Sequence, residues 1–321
     1  MAVTRNDVAR EAGVSTAVVS YVLNNGPRPV APATRDKVLA AIRTLGYRRD
    51  GVARHLRVGK TLSIGLVVPD PALPYFAEFT KHLNASGEAA DRQILLAASA
   101  WDLDREHAIL ASLAERRVDA IVLLSADPLQ DFSARDDVGV PLILVDRPEV
   151  VTLGTVAAVE HLRDHGHRRL GLITGPSDLR AIQRRSTAWA DAVRGAGLDV
   201  HPEWYHHAEI SQRGGYEAAR ALFANSEAPS AIFVESDAQA LGFLRGAHEC
   251  GRVIPADCAI ITAEGTENSL YSVPSLTTLA QPVDRLAGAA LRAAVEAPAP
   301  GMQRISDDEF RLCMRESCGT H

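Results

Sequence analysis

Residues 7–23 read DVAREAGVSTAVVSYVL, and this stretch decides the fold of the N-terminal part of the chain. Its first half places apolar side chains on one helical face, with Thr4 positioned to cap the helix and Gly13 to end it. Ser15 is a suitable N-cap for a second helix, whose small and apolar residues again share one side. Two short helices joined by a glycine-containing turn predict a helix-turn-helix.

A third helix is predicted to follow, because Pro32 suits its first position and Gly46 its end. Its apolar stripe consists of Val38, Leu39, Ile42 and Leu45. Three helices within fewer than fifty residues can close one small all-α core. A helix pair of this kind occurs in DNA-binding domains and also in other small helical proteins, so the pattern alone leaves both interpretations open.

Four segments carry a resemblance to a known family: VTRNDVAREAGVS at 3–15, VSYVLNN at 19–25, PATRDKVLAAIRTLGYR at 32–48 and ARHLRVGKT at 53–61. Together they resemble the N-terminal headpiece of the LacI/GalR (lactose and galactose repressor) transcription regulators. The resemblance implies a helix-turn-helix DNA-binding domain at 1–47, a hinge helix or linker at 48–60 and an effector-binding and dimerisation domain at 61–321. It implies a transcriptional repressor.

The charge distribution agrees with this division. The chain as a whole has a formal charge of −6, whereas residues 1–60 contain eleven basic and four acidic side chains, a net +7 that leaves −13 on the remainder. Basic charge is therefore concentrated in the segment that would contact DNA phosphates. The acidic charge of the remainder limits nonspecific binding of DNA elsewhere on the protein.

The resemblance places Thr16, Ala17 and Ser20 of the second helix, with Tyr21 beside them, against base edges in the major groove. Two positions depart from the commoner family pattern, since Val18 stands where Thr is usual and Tyr21 where Arg is usual. The missing Arg removes a bidentate partner for guanine, so the family's operator preference cannot be transferred.

Asn25 and Thr34 are predicted phosphate contacts. Such contacts position the protein on the duplex but do not distinguish one base pair from another. In the family, the segment matching 48–60 is a hinge helix that forms on specific DNA, and Leu56 matches the leucine that enters the minor groove. A leucine inserted in this way bends the duplex. The protein then distinguishes DNA sequences by how easily they bend as well as by their base edges. A helix this short does not persist alone in water, which suits a switch.

From Leu62 onward, short apolar runs alternate with stretches long enough for helices, which predicts parallel sheets covered on both faces. The runs are LSIGLVV, QILLAAS, DAIVLLS, PLILVD, RLGLIT, SAIFVES and CAIITAE. Seven such units suggest two lobes, and they resemble the α/β periplasmic-binding-protein-like fold that family members use as effector domain. A ligand would occupy the cleft between the lobes, near the carboxyl ends of the strands.

Candidate effector contacts follow from the strand ends and from the resemblance. Carboxylates, an arginine and an aromatic surface suit a polyhydroxylated ligand, so the expected effector is a sugar or a related polar metabolite. The turn and strand-end candidates are Phe76, Asp146, Asp237 and Glu264, and those matching the family's ligand-binding helix are Arg185 and Trp189.

Three departures from the family concern this pocket. Ser236-Asp237 replaces the common Asn-Asp, and Ala263-Glu264-Gly265 replaces an aromatic residue followed by Asp-Asp. The crossing at 145–157 is also shorter than usual, as if one strand were missing. Either the pocket is altered or the response to a ligand has been lost.

Other features exclude further classes of protein. The four cysteines form no CxxC pair, which is typical of reduced thiols in a cytoplasm. No apolar run reaches the roughly 18 residues that a membrane-spanning helix needs, and no secretion signal precedes the first helix. No P-loop, GxSxG or HExxH motif occurs, and His165 and His167 are not expected to bind metal, so we predict no enzyme activity, no cofactor and no metal.

The sequence therefore predicts a cytoplasmic, nucleoid-associated homodimer that binds a palindromic operator on double-stranded DNA and a small-molecule effector. The C-terminal tail from Met302 has no leucine heptad, so a coiled-coil tetramer is not expected. Two rival functions stay open: a sugar-binding transport component, and a cytosolic enzyme that acts on a sugar or nucleoside in the cleft. The sign of the ligand response is also open, since an effector can release or strengthen DNA binding.

Overall fold

The structure is a computed structural model. It describes residues 3–24, 29–47, 61–130, 132, 139–145, 148–225, 227–297, 299–306 and 309–319. The chain divides into two compact units, residues 1–59 and 60–321, which we call the headpiece and the body. No helix within the described ranges is both long and apolar enough to cross a membrane.

The described residues form eleven α-helices and eleven strands, which carry numbers in chain order. The helices are α1 (Arg5–Ala12), α2 (Thr16–Asn24), α3 (Pro32–Leu45), α4 (Pro74–Ala89), α5 (Leu103–Glu115), α6 (Pro148–Asp164), α7 (Arg180–Gly195), α8 (Gln212–Phe223), α9 (Asp237–Glu249), α10 (Glu267–Leu270) and α11 (Val283–Glu296). The strands are β1 (Ser63–Val68), β2 (Gln93–Ala98), β3 (Ala120–Leu123), β4 (Pro141–Val145), β5 (Leu170–Thr174), β6 (Tyr205–His207), β7 (Ala231–Val234), β8 (Ala259–Thr262), β9 (Thr277–Ala280), β10 (Gly301–Ile305) and β11 (Arg311–Cys313).

The headpiece contains the three predicted helices. Thr4 and Asp7 form a reciprocal capping box at the start of α1, in which the Thr4 backbone N–H donates to the Asp7 carboxylate at 2.9 Å. Gly13 ends α1 in the left-handed conformation, with φ of 65°, which glycine adopts without steric cost. Val8 of α1, Val19 of α2 and Val38 of α3 meet in a fully buried core. The predicted helix-turn-helix is thereby confirmed.

The body consists of two lobes, each a sheet with helices on both faces. Lobe 1 has the all-parallel strand order β10-β4-β3-β1-β2, with α4 and α11 on one face and α5 on the other. Lobe 2 has the order β11-β9-β8-β7-β5-β6, parallel except for the β11–β9 pair, with α6 and α7 on one face and α8 and α9 on the other.

The predicted fold class is confirmed, since all seven apolar runs are strands of two mainly parallel sheets. Four strands were not predicted: β6, β9, β10 and β11. The chain crosses between the lobes three times, after β4, after β9 and after β10. At the first crossing, α6 begins at Pro148, three residues after the last residue of β4, and no strand lies among the described residues of this crossing.

Candidate functional site

A cavity of about 170 Å³ lies in the body and is lined by side chains of both lobes. Parallel strands present their carboxyl ends to it, since Gly175 follows β5, Glu235 follows β7, Glu264 lies two residues after β8 and Gln281 follows β9. This is the edge at which parallel α/β sheets hold ligands. The cavity therefore occupies the cleft in which the sequence predicted a ligand.

Lobe 1 contributes an aromatic wall. Phe76 lines the cavity from the first turn of α4, so it belongs to a helix and not to the turn that the sequence predicts. Its ring meets the ring of Trp101 edge-on, with centroids 6.1 Å apart. Trp101 was not predicted, because it lies in an irregular segment after β2 and has a positive φ of 63°. Together the two rings offer a surface for the apolar face of a ligand.

Lobe 2 contributes a charge pair in which the Glu235 side chain is buried and the Arg185 side chain is partly exposed. Nη1 of Arg185, on α7, lies 3.7 Å from Oε2 of Glu235, and the Thr174 hydroxyl donates to the same oxygen at 2.5 Å. Burial raises the pKa of the Glu235 carboxyl, and the neighbouring Arg185 guanidinium opposes that rise. Since the two opposite charges share the cavity wall, the wall can both donate and accept hydrogen bonds without adding net charge.

Glu264, which was predicted, lines the same cavity and orders its surroundings. Its Oε2 accepts a hydrogen bond of 2.9 Å from the backbone N–H of Asp237 and one of 3.4 Å from the Ser236 hydroxyl. The carboxylate thus lies at the N-terminus of α9, where the helix dipole favours negative charge. One residue therefore closes the end of a helix and presents an acceptor to the cavity.

Two glutamines that the sequence analysis missed complete the wall. The Gln239 side-chain amide donates to the Thr174 carbonyl at 3.2 Å, and that of Gln281 donates to the Ala263 carbonyl at 2.6 Å. Their side-chain amide oxygens are buried and have no hydrogen-bond partner among the described residues. An acceptor that is buried without a partner is costly, so these two oxygens are a strained feature of the wall.

Close helix packing holds Gln239 in this position. A Cβ atom on Gly215 of α8 would overlap the backbone carbonyl of Gln239 on α9. The absence of a side chain at Gly215 therefore lets the two helices approach closely. Residue types alone do not predict this contact, because it depends on which backbone atoms of the two helices lie next to each other.

Two predicted ligand contacts lie behind the cavity wall instead. Trp189 is fully buried and stacks on Phe233, with ring centroids 5.2 Å apart and planes 8° apart. Asp237 is also fully buried, and its Oδ2 accepts hydrogen bonds of 2.7 Å from both the backbone N–H and the hydroxyl of Thr266. Neither residue lines the cavity. Burial, the main cause, raises the pKa of the Asp237 carboxyl.

Two hydrogen bonds between described residues connect the lobes next to residues that line the cavity. Nε of Arg180, the first residue of α7, donates to Oδ2 of Asp127 in lobe 1 at 3.0 Å. The backbone N–H of Glu267, in lobe 2, donates to Oε1 of Glu78 on α4 at 2.6 Å. Because both contacts need the lobes to be close, they favour the arrangement in which the cavity is enclosed.

In the headpiece, Thr16 and Ala17 are exposed at the start of α2, with Ser20 and Tyr21 half-buried one turn later. Thr34 is half-buried in the first turn of α3. Three predicted contacts, Asn25, Leu56 and Asp146, lie outside the described residues, as does the whole segment 48–60. The other two helices of the headpiece carry exposed basic side chains: Arg5, Arg10, Arg35, Lys37 and Arg43.

No group of three or more His, Cys, Asp or Glu side chains with the geometry of a metal site occurs in the described part of the chain. None of the four cysteines, which all lie in that part, forms a disulfide.

Two family models match the chain. Residues 4–50 match the model of bacterial regulatory proteins of the lacI family, and residues 159–318 match the model of a periplasmic binding protein-like domain. The HTH-type transcriptional repressor PurR of Proteus mirabilis (strain HI4320) is 33% identical over 296 residues, which are 88% of this chain and 86% of that protein. The same repressor from Photorhabdus laumondii is 32% identical over 296 residues, with the same coverage.

Solved structures show the same fold. The lac repressor dimer bound to operator and the anti-inducer ONPF superposes with a TM-score of 0.83 at 24% identity and covers 100% of both chains. The complex of the transcriptional regulator CelR with cellobiose gives a TM-score of 0.68 at 26% identity, covering 98% of this chain and 99% of that one. The helix-turn-helix unit and the two-lobed unit therefore occur together in known repressors.

Proposed function

This chain belongs to the lacI family of bacterial regulatory proteins, and we propose that it represses transcription by binding a palindromic operator as a homodimer under the control of a small ligand. It is a DNA-binding regulator and not an enzyme, in agreement with relatives that are transcriptional repressors. The observation that supports the ligand-responsive part is the cavity between the lobes, where Arg185 pairs with the buried carboxylate of Glu235 and Phe76 and Trp101 form an aromatic wall.

The DNA-binding part of the proposal divides the chain into a helix-turn-helix domain at 1–47, a hinge at 48–60 and an effector domain at 61–321. Residues 16, 17, 20 and 21 of α2 contact base edges, and Asn25 and Thr34 contact phosphates. The basic charge of residues 1–60 supports this assignment, because phosphate contacts supply most of the affinity of such proteins.

The effector is a small polar molecule with hydroxyl or N–H groups, such as a sugar or a related metabolite. Phe76 packs against its apolar face, whereas Arg185 and Glu264 bind its polar groups. Trp189 and Asp237 act from behind the wall, since they hold Phe233 and the start of α9 in place. Asp146 remains a proposed contact on sequence grounds alone.

A ligand can regulate DNA binding only if it binds two arrangements of the lobes with different affinity. We expect it to favour one lobe arrangement and so to alter the hinge segments that a dimer presents to the operator. A coupling of about 1–3 kcal/mol corresponds to a five- to 150-fold change in operator affinity. Either sign of response, induction or corepression, fits this scheme.

A homodimer agrees with a palindromic site whose half-sites lie about one helical turn apart. The loop after α10 supports association, because Tyr271 is 78% and Val273 91% exposed, and apolar side chains of this kind are typical of contact surfaces. Binding to chromosomal DNA would place the protein in the cytoplasm, on the nucleoid. The transport and enzyme alternatives are less favoured, since the relatives are repressors.

Selection of bound duplexes from a randomised DNA library by the full-length protein tests the DNA-binding part. We expect enrichment of a palindrome with a flexible central step, whose affinity falls steeply with salt. Enrichment of no sequence, with salt-sensitive binding to every duplex, would contradict the proposal.

Leu56 is proposed to enter the minor groove at the centre of that palindrome. Replacing Leu56→Ala should therefore weaken binding to the selected palindrome by about tenfold or more, because the bent complex loses its wedge, and should leave nonspecific binding within about twofold. Val58→Ala, in the same segment, is the matched control. Equal losses on specific and nonspecific duplexes, measured in parallel titrations, would remove Leu56 from the recognition surface.

A further inference from the structure

The composition of α2 restricts how this helix can read DNA. Residues 16–23 read TAVVSYVL and contain no Arg, Lys, Asn, Gln, Asp, Glu or His. Val19 and Val22 are buried in the core of the headpiece, so they fix which side of the helix faces outward. Only hydroxyl, phenol and methyl groups remain on the outward side of these eight residues.

The first turn of α2 offers two side chains to an approaching base pair. The Ser15 hydroxyl accepts a hydrogen bond of 3.4 Å from the backbone N–H of Val18, and this use as a cap holds it at the helix end. Thr16 and Ala17 are both exposed, and both end in methyl groups, although Thr16 also has a hydroxyl. Ser20 and Tyr21 lie one turn further on and are half-buried.

The four base pairs differ in the chemistry that recognises them in the major groove. Guanine is specified by two hydrogen bonds from Arg or Lys, adenine by two from Asn or Gln, and cytosine by a carboxylate. None of these side chains occurs at 16–23. The C5-methyl group of thymine, by contrast, is recognised by apolar contact with a methyl group of Ala or Thr.

We propose that α2 reads each operator half-site mainly through thymine C5-methyl groups, with the methyl group of Ala17 as the principal specificity-determining contact and that of Thr16 beside it. This inference rests on the proposed DNA-binding function. The exposed basic residues of the headpiece outside α2 then supply affinity through phosphates, and sequence preference comes from thymine positions together with duplex deformability.

The test starts from the palindrome selected by the full-length protein. Each thymine of a half-site is replaced in turn by deoxyuridine, which lacks only the methyl group, and each guanine by 7-deazaguanine, which lacks the N7 acceptor. Removing one buried methyl contact should lower affinity about threefold to fourfold per half-site and about tenfold or more in both half-sites. The 7-deazaguanine substitutions should each change affinity by less than about twofold.

Ala17→Gly connects the effect to one residue. In this variant the deoxyuridine effect at the contacted thymine should disappear, whatever the overall loss of affinity, because the partner methyl group is gone. Ala17→Gln provides a second variant on an exposed helical position, where Gln is well tolerated. Selection with Ala17→Gln should enrich a different base pair at one position of each half-site and leave the others unchanged.

The outcomes separate this inference from the proposed function. If no palindrome is selected, the proposed function itself fails. If a palindrome is selected but contains no thymine contact, is insensitive to deoxyuridine, or loses much of its affinity with 7-deazaguanine, the methyl-readout inference is overturned while DNA binding stands. Unchanged selection by Ala17→Gln would likewise remove Ala17 as the specificity-determining residue.

Discussion

Helix α7 forms two neighbouring pairs of opposite chemistry, one with strand β7 and one with the residue that directly follows it. Trp189 of α7 stacks on Phe233 of β7 in the fully buried core, and one turn earlier Arg185 pairs with Glu235 at the cavity. Four helical residues advance about 6 Å and two strand residues about 6.6 Å, so the spacing of the two pairs matches along both elements.

The difference between the pairs shows how one packing geometry serves two purposes. Within the aromatic pair, Trp189 is fully buried and does not line the cavity, whereas Phe233 forms part of its wall. The charged pair is looser, at 3.7 Å, and the Arg185 side chain remains 38% exposed. We infer that the inner pair holds helix and strand in register, and that the outer pair uses this register to present paired charges to a ligand.

The largest expected effect belongs to the inner pair. Trp189→Ala should lower the free energy of unfolding of the body by about 3–5 kcal/mol, because a large buried side chain leaves a cavity in the core. Arg185→Ala is the matched control one turn away and should cost less, about 1–2 kcal/mol, because it removes a partly exposed side chain but leaves the buried Glu235 carboxyl without its charged partner. Denaturant unfolding followed by circular dichroism measures both. Comparable losses in the two variants would erase the distinction between the pairs.

The pH dependence of stability tests the second pair, Arg185 and Glu235, separately from the aromatic pair. Burial raises the folded-state pKa of Glu235 above its ordinary value of 4.5, so the protonated carboxyl binds its proton more tightly in the folded protein. The resulting stabilisation is present below pH 4.5 and is lost as pH rises through the raised folded pKa. Glu235→Gln should remove this dependence and make stability fall less as pH rises above 4.5.

Glu217→Gln, at a carboxyl that is 60% exposed on α8, is the control for this measurement and should reproduce the wild-type pH profile. Chemical unfolding at several pH values between 4 and 8 provides the comparison. A Glu235→Gln profile that is identical to that of the wild type would show that Glu235 does not titrate as its burial requires.

The smallest effect concerns Arg180, five residues before Arg185 on the same helix. Its side chain is 55% exposed, so Arg180→Ala should change the free energy of unfolding by less than about 1 kcal/mol. Because its partner Asp127 belongs to the other lobe, the same variant should speed ligand dissociation from the cavity. Arg194→Ala, which removes an exposed pair within α7, should leave the dissociation rate unchanged. Equal ligand dissociation rates in the two variants would show that the contact between Arg180 and Asp127 does not slow release of the ligand.

The sequence identified the elements well, because apolar periodicity and cap residues are local signals. Thr4, Gly13 and Gly46 predicted helix ends that the structure confirms. The four missed strands lack this signal. β6 and β11 have only three residues each, and β9 and β10 lie near the C-terminal end of the chain. Their places are set by partners distant in sequence.

Within the cavity, strand ends identified the neighbourhood but not which side chains face it. Asp237 and Glu264 both follow strands, yet Asp237 turns toward Thr266 and Glu264 toward the cavity. Gln239 was missed because its role depends on packing between α8 and α9, and Trp101 because an irregular segment places it. Residue type predicts candidate chemistry, whereas tertiary packing decides which atoms meet a ligand.

The central claim, that the cavity controls operator binding, is tested most directly by measuring operator affinity with and without a ligand. Sugars and nucleobases are first screened for one that raises the melting temperature of the wild-type protein but not that of Arg185→Ala. We predict that this ligand changes wild-type operator affinity by a factor of about five to 150 and leaves that of Arg185→Ala unchanged. A ligand that binds the wild type without altering operator affinity, or one that alters both proteins equally, would contradict the account.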